Sequence, residues 1–274
     1  MLCRVLGVSR SGYYDWLRRL DRPGPRAAGD AALLREIERI HARLGYYGSP
    51  RVHRELLARG HHVGRHRVAR LMRLNGIRAA RCKIKSRPRA APPARRPEVV
   101  DLVRRDFHAD APNALWFTDV TQIRTGEGWL FAVVVLDAFN REVVSWATSS
   151  LAAPKTALTA LRDAIRIRRP PAGCVVHSDR GYQFTAHDWL DLVERTGLRA
   201  SIGERKSCYD NAVIESWFAS FKNEEIYPKG SPFTRAEARR RLFRYIWDYN
   251  TVRLHSTLGY ASPRDYAAQS SICP

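Results

Sequence analysis

The sequence predicts an α/β protein: a mixed five-stranded sheet flanked by helices, preceded by a small all-α helix-turn-helix domain. Three observations carry this. The charge is segregated along the chain. Two short amphipathic segments flank a glycine-bearing turn within the first 77 residues. From Asn113 onward, apolar segments follow one another in the order βββαβαβα. Three antiparallel strands followed by alternation imply a mixed sheet with helices on both faces. A length of 274 residues allows one large domain or two smaller ones, and 45% hydrophobic composition is ample for a packed core.

The first block, residues 1–77, reads as helical. Asp30 is a candidate cap for a helix starting at Ala31, with Leu33, Leu34, Ile37 and Ile40 on one side. Gly45-Tyr-Tyr-Gly-Ser-Pro50 breaks the pattern. Ser49 is a candidate N-cap, and Pro50 suits the first helical position. Val52, Leu56 and Leu57 form an apolar face. Gly60-His-His-Val-Gly64 interrupts, and Arg65–Leu74 gives a second short helix closed by Asn75-Gly76. This is the outline of a helix-turn-helix spanning about 31–77. On its second helix Val68, Leu71, Met72 and Leu74 share the buried side, while His66, Arg70 and Arg73 fall opposite, where a recognition helix meets a groove. The competing reading is a helical hairpin with a solvated basic face.

Charge decides what this block meets. The chain carries +20 overall. Residues 1–97 hold 24 Lys+Arg against 6 Asp+Glu; residues 98–274 hold 23 against 21. A basic arm on a near-neutral body suggests a polyanion partner, and double-stranded DNA fits better than a membrane, because the basic part lacks an aromatic-faced amphipathic helix. The longest apolar run, Trp129–Leu136, has 8 residues where a membrane span needs about 20. No long apolar leader opens the chain, and the five cysteines are scattered without a CxxC pair, so a reducing cytoplasm is expected. The cluster His53, His61, His62, His66 has no paired cysteines at zinc-finger spacing.

The second block, 78–112, opens with Arg78–Pro97, which holds eight Lys/Arg, four Pro and no acid. It reads as a basic Pro-rich linker, tracking DNA or serving as a tether. In the third block, strands are expected at Leu115–Ile123, Trp129–Ala138, Arg141–Thr148, Cys174–Asp179 and Leu198–Ile202, with helices at Pro154–Arg169, Ala186–Thr196 and Asp210–Glu224. Trp116, Trp129, Trp189 and Trp217 are expected in the core.

Three acids stand apart from ordinary surface groups. Asp119 sits within an apolar strand, where an unpaired charge costs several kcal/mol. Asp179 ends the fourth strand, where open α/β sheets place their sites. Glu215 lies on a helix beside Ile214 and Trp217. Three converging carboxylates would form a hard-oxygen site suited to Mg²⁺, and two ions about 3.5–4 Å apart can cleave phosphodiesters. The alternative is three structural acids, and spacing has to decide. Asp119 and Asp179 are 60 positions apart, and 35 residues separate Asp179 from Glu215. Asn211 and Lys222, four before and seven after Glu215, share its helix face.

At these residues the chain resembles the DDE transposases and retroviral-type integrases. Within them it is similar to the OrfB product of two-frame insertion-sequence transposases. The resemblance rests on Trp116-Phe-Thr-Asp-Val-Thr121, His177-Ser-Asp-Arg-Gly-Tyr-Gln183, Ser207-Cys-Tyr-Asp-Asn-Ala-Val-Ile-Glu-Ser-Trp-Phe218 and Tyr249-Asn-Thr-Val-Arg-Leu-His-Ser-Thr-Leu-Gly-Tyr-Ala-Ser-Pro263, with Gly45–Arg51 and Val8–Tyr14 upstream. It covers nearly the whole chain. It implies an RNase H-like integrase catalytic core at 113–225 and a C-terminal helical extension at 226–274. Asp119, Asp179 and Glu215 become catalytic and metal-binding residues for Mg²⁺ or Mn²⁺, with two ions expected. The implied activity is cleavage at element ends followed by strand transfer, in a bacterial cytoplasm at the nucleoid, by a homo-oligomer on DNA that works with a first-frame OrfA product or fusion. No sustained heptad run is present to supply that partner's zipper. Two other functions stay open: a DNA-binding regulator with a silent core, and an RNase H-type nuclease.

For the supporting residues two readings stand side by side. Lys222 binds a terminal phosphate or is solvated. Asn211 orients Glu215, touches DNA, or only begins a helix. His177 supports Asp179 from behind or packs in the core. Arg253 and His255 reach DNA or serve as a helix-end cap and a core group, and Gln183 is a further DNA candidate. Arg239-Arg-Arg241 reads as a solvated face, and Glu224 and Glu225 are rivals to Glu215 that lack its spacing.

Overall fold

The computed structural model describes residues 3, 7–21, 25–80, 99–203 and 211–270. The chain divides into two compact units, Met1–Ala80 and Arg81–Pro274.

The first unit is helical: α1 (Arg10–Asp21), α2 (Pro25–Arg43), α3 (Ser49–Ala58) and α4 (Arg65–Leu74). Ile37 and Ile40 of α2, Val52 and Leu56 of α3 and Val68 of α4 are fully buried. Each such side chain contributes about 1.5–3 kcal/mol on burial. Helix α2 begins before the expected start at Ala31. Pro25 presets its first turn and Ala27 and Ala28 continue it, so Asp30 lies inside the helix rather than capping it. Asp30 instead pairs with Arg67 at 2.7 Å and Arg70 at 2.5 Å, tying α2 to α4. Gly48 occupies the cap of α3, which makes Ser49 its first helical residue and gives it no capping hydrogen bond. Leu74 is 64% exposed, not buried: it sits in the last turn, where α4 ends against Asn75.

The second unit is built on a five-stranded mixed sheet in the order β3-β2-β1-β4-β5, formed by β1 (Leu115–Thr125), β2 (Gly128–Asp137), β3 (Val143–Ser149), β4 (Val175–Ser178) and β5 (Arg199–Ile202). Strands β1, β2 and β3 are antiparallel neighbours; β4 and β5 run parallel to β1. Helices α5 (Pro154–Arg168), α6 (Tyr182–Thr185), α7 (His187–Arg195), α8 (Ala212–Phe221), α9 (Arg235–Thr251) and α10 (Pro263–Ser270) surround it.

Alternation along the strands gives the sheet two cores. Trp116, Val133 and Val135 face α5 and α7, meeting Leu161 and Trp189. Phe117, Val134 and Leu136 face α8 and α9, meeting Trp217 and Leu242. Burial on both faces explains why Trp129–Leu136 reads as one apolar run rather than an alternation. Trp129 is the exception to its expected burial. It is 43% exposed at the start of β2, with the Arg124 guanidinium 5.7 Å from its ring.

The second unit takes in flanking segments that the sequence assigns elsewhere. Residues 99–112, read as the end of the linker, lie on the sheet unit: Val103 and Ala109 are buried in its core, and Leu102 N–H donates to Ser201 Oγ at 2.9 Å. The basic stretch 81–98 lies outside the described residues. The C-terminal helix α9 is likewise part of the core. Its Asn250 grips Val143, accepting from N–H and donating to C=O, both at 2.9 Å.

Candidate active site

Register brings the first two carboxylates together. Thr118 of β1 is the partner of Ser178 in parallel β4, so Asp119 and Asp179 each follow one member of a paired couple on strands about 4.8 Å apart. Period-two alternation sends Asp119 to the face of Phe117, and Asp179 to the face of His177. Phe117 and His177 are themselves register partners with rings 5.9 Å apart. Both aspartates thus face the layer that holds α8.

Helix α8 delivers Glu215 to that face. Asn211, at its N-cap, is only 5% exposed and donates from Nδ2 to the Thr118 carbonyl at 3.3 Å, immediately before Asp119. Its own carbonyl accepts the Glu215 N–H at 3.1 Å. Asn211 therefore spans the gap between the strand bearing one carboxylate and the helix bearing another. Of the readings open for it, burial removes the DNA contact. Its neighbours Ser207, Cys208, Tyr209 and Asp210 lie outside the described residues.

The three carboxylates act on one another electrostatically. Burial, and then the charge of Asp179, hold Asp119 well above the usual carboxylate range; Glu215 adds to this, while Val120 N–H and Lys222 oppose it. The Val120 N–H donates to Asp119 Oδ1 at 2.6 Å. Asp179 is raised by burial against the Gly181 N–H, 2.8 Å from its Oδ1, and against His177. Glu215, the most exposed of the three, is raised by burial and by Asp179. Lys222 is pulled down by burial and up by Asp119. Among the described residues no group of three or more His, Cys, Asp or Glu side chains is placed so that it could hold a metal ion. The three carboxylates nonetheless sense one another's charge. They are acceptor-only hard oxygens, partly desolvated and mutually repelling, which is the donor chemistry that a divalent cation relieves.

Other candidates fall elsewhere. His177 is fully buried, with Nδ1 2.9 Å from Ser201 Oγ and 3.8 Å from Asp101 Oδ1. Arg253 and His255, proposed as DNA contacts, are 5% and 7% exposed. Arg253 makes a two-pronged pair with Glu224 (3.0 and 2.6 Å), and His255 packs edge-on against Tyr249. Burial rules out direct contact with a duplex for both. Glu224 is consumed by that pair, and Glu225 by Lys229, so neither competes with Glu215. In the first unit His66 and Arg73 are exposed, while Arg70 is half-buried in its pair with Asp30.

Two residues escaped the sequence reading. At Gly181 a Cβ would stand 2.3 Å from Gln183 Nε2 and 2.8 Å from Asp179 Oδ1, so a side chain there would displace the Gln183 amide and the Asp179 carboxylate. Asp101, remote in sequence from His177, carried no local signal; only the fold lays its segment beside β5.

The chain is similar to known proteins along its whole length. Models of an integrase core domain match residues 109–208 and 196–263, and a model of an HTH-like domain matches residues 28–85. A 31 kDa protein of insertion element IS600 from Shigella sonnei is 38% identical over 96% of this chain and 96% of its own. Transposase InsF for insertion sequence IS3A from Escherichia coli (strain K12) is 37% identical over 97% of this chain and 92% of its own. An HTLV-2 integrase catalytic core domain solved in complex with magnesium aligns over 57% of this chain and 97% of its own, with 16% identity and a TM-score of 0.45.

Proposed function

Since the chain belongs to the insertion-sequence transposases of the InsF kind, we propose that Asp119, Asp179 and Glu215 are the catalytic carboxylates of its DNA cleavage and strand transfer. The protein is a DDE transposase, a polynucleotidyl transferase of a divalent-metal-dependent family. The single observation behind the residue assignment is the placement of Asp119 and Asp179 on paired strands, with the Glu215 helix tied to β1 through Asn211.

Asp119, Asp179 and Glu215 are the residues that would hold Mg²⁺ or Mn²⁺, as a pair of ions. When bound, those ions supply the positive charge that phosphodiester attack requires at the entering and leaving oxygens. The chain's own groups do the rest. Val120 N–H and Gly181 N–H fix one oxygen each of Asp119 and Asp179. Asn211 holds the Glu215 helix to β1. Lys222, beside Asp119, takes a phosphate oxygen as a point charge. A water attacks the phosphorus at the element end and the 3′-oxygen leaves as a 3′-hydroxyl. That hydroxyl then attacks a target phosphodiester, and the displaced 3′-oxygen takes up the proton. Catalysis is positioning and charge neutralisation, with no covalent protein–DNA bond.

His66 and Arg73 of α4, with the basic arm around them, meet double-stranded DNA; Arg70 reaches it only by leaving Asp30. The active form is a homo-oligomer on paired element ends, joined by a first-frame OrfA product or fusion. Among the described residues no helix is long and apolar enough to cross a membrane, and we place the protein in the bacterial cytoplasm at the nucleoid. The assignment is tested with Asp179→Asn on a substrate carrying paired element ends. Joined product should vanish while duplex binding persists; undiminished joining would overturn it. Cut but unjoined product from the unaltered chain would point to a plain nuclease.

A further inference from the structure

Helix α8 does not end as an ordinary α-helix. After Phe221 it widens into a π-turn, Lys222–Ile226, closed by the Tyr227 N–H donating to the Lys222 carbonyl at 2.8 Å. Such wide turns are rare and cost backbone geometry, so something must hold this one. Lys222 and Glu224, two residues apart, project to different sides of the helix. Lys222 follows Glu215 by seven residues, two helical turns, on the helix that carries that carboxylate. Glu224 faces the C-terminal motif and is held there by three hydrogen bonds. Arg253 donates from Nε to Oε2 at 3.0 Å and from Nη2 to Oε1 at 2.6 Å, and the Tyr245 hydroxyl donates to Oε2 at 3.0 Å. The Arg253 and Glu224 side chains are 6% and 10% exposed, and Arg253 also lies over the Tyr249 ring.

We propose that Arg253 and Tyr245 are positioning residues for Lys222: they clamp Glu224, and the clamp fixes the π-turn that carries Lys222 beside the catalytic carboxylates. The clamp suits this work. A bidentate guanidinium–carboxylate pair defines orientation as well as distance, which a single hydrogen bond does not. Glu224 sits within the five-residue π-turn, so a rotation of the turn about its axis moves Glu224 and Lys222 together. The clamp is supplied by α9, whose Tyr245 and Tyr249 are packed in the sheet core, and by the buried Arg253 just after it. This gives the Tyr249–Pro263 motif a role that its buried residues could not play by touching DNA. The inference rests on the reading of Lys222 as a phosphate contact.

The test uses the full chain with Arg253→Lys, which keeps the charge but loses the fork, and with Glu224→Gln, which keeps the volume. Hydrogen exchange at the Tyr227 amide should quicken in both while exchange within β1 stays as it was. In strand transfer on a duplex carrying the element ends, Arg253→Lys should lose about 10- to 100-fold, the scale of losing support behind a metal-site ligand. Combined with Lys222→Ala, it should add nothing to the loss from Lys222→Ala alone, because the two act through one group. Unchanged exchange at Tyr227 would overturn the clamp. Losses that multiply would overturn its action through Lys222 and leave Arg253 a general stabiliser. Quickened exchange with full activity in Lys222→Ala would keep the clamp and remove the phosphate role of Lys222.

Discussion

Asp30 and Asp119 are the same residue type put to opposite use in the two units. Asp30 lies between the Arg70 and Arg67 guanidiniums, whose hydrogen bonds hold it below the usual carboxylate range. Asp119 lies in a desolvated setting with Asp179 and Glu215 as neighbours, and is held well above that range. The helical unit spends a carboxylate to lock α2 against α4. The sheet unit holds Asp119, Asp179 and Glu215 above the usual carboxylate range, with burial as the first cause in each. Charge pairing builds structure in the first case; burial raises the carboxylates in the second.

The strongest way to break this comparison is to remove the repulsion. Asp119→Asn should abolish strand transfer, by about 10³-fold or more, while raising the melting temperature of the metal-free protein. Calorimetry with and without Mg²⁺ checks this, since the added stability from metal should vanish in the variant. A fall in melting temperature without metal would mean that Asp119 is a structural acid. Gly181→Ala comes next. The new methyl group collides with Gln183 and Asp179 Oδ1, so transfer should drop about 10- to 100-fold with DNA binding unaltered, as read in parallel transfer and gel-shift assays.

Acid titration sharpens the contrast. A carboxylate raised above 3.8 in the fold stabilises the native state at low pH and loses that contribution as pH rises through its folded value; Asp119 behaves so. Asp30, lowered below 3.8, contributes above 3.8, and that contribution is lost as pH falls through its folded value. Hydrogen exchange of the intact, metal-free chain below pH 4 should therefore show α2 and α4 loosening while the Asp119 surroundings tighten. Metal affinity should climb up to about tenfold per pH unit until Asp119 has lost its proton. Loosening of both regions in step would end the comparison.

The smallest effects separate neighbouring arginines of α4. Arg73→Ala should lower the slope of log affinity against log salt by about one, with melting unchanged. Arg70→Ala should lower the melting temperature through loss of the Asp30 pair. Equal behaviour of the two would show that the Asp30 pair does not distinguish them.

Much of this was legible in the chain. The succession of strands along the chain, the burial of β2 and the unusual setting of Asp119 within an apolar strand all follow from apolar periodicity and from an acid set against it, because period and burial are local properties. Helix ends were less secure. Asp30 has the side chain of a cap, yet the partners that claim it lie on another helix. Trp129 has the composition of a core residue, yet it falls at the open start of its strand.

By itself the sequence determined the segregation of basic charge into the first third, the succession of strands and helices, and which acids could not be ordinary surface groups. Tertiary structure alone decided that Asp119 and Asp179 each follow a member of the Thr118–Ser178 pair across β1 and β4, that Asn211 donates to the Thr118 carbonyl, and that Arg253 turns inward to Glu224. The reason is distance along the chain. Spacing and pattern report what a residue does with its near neighbours, whereas a cation's choice between a phosphate and a carboxylate depends on which group folding brings within hydrogen-bond reach.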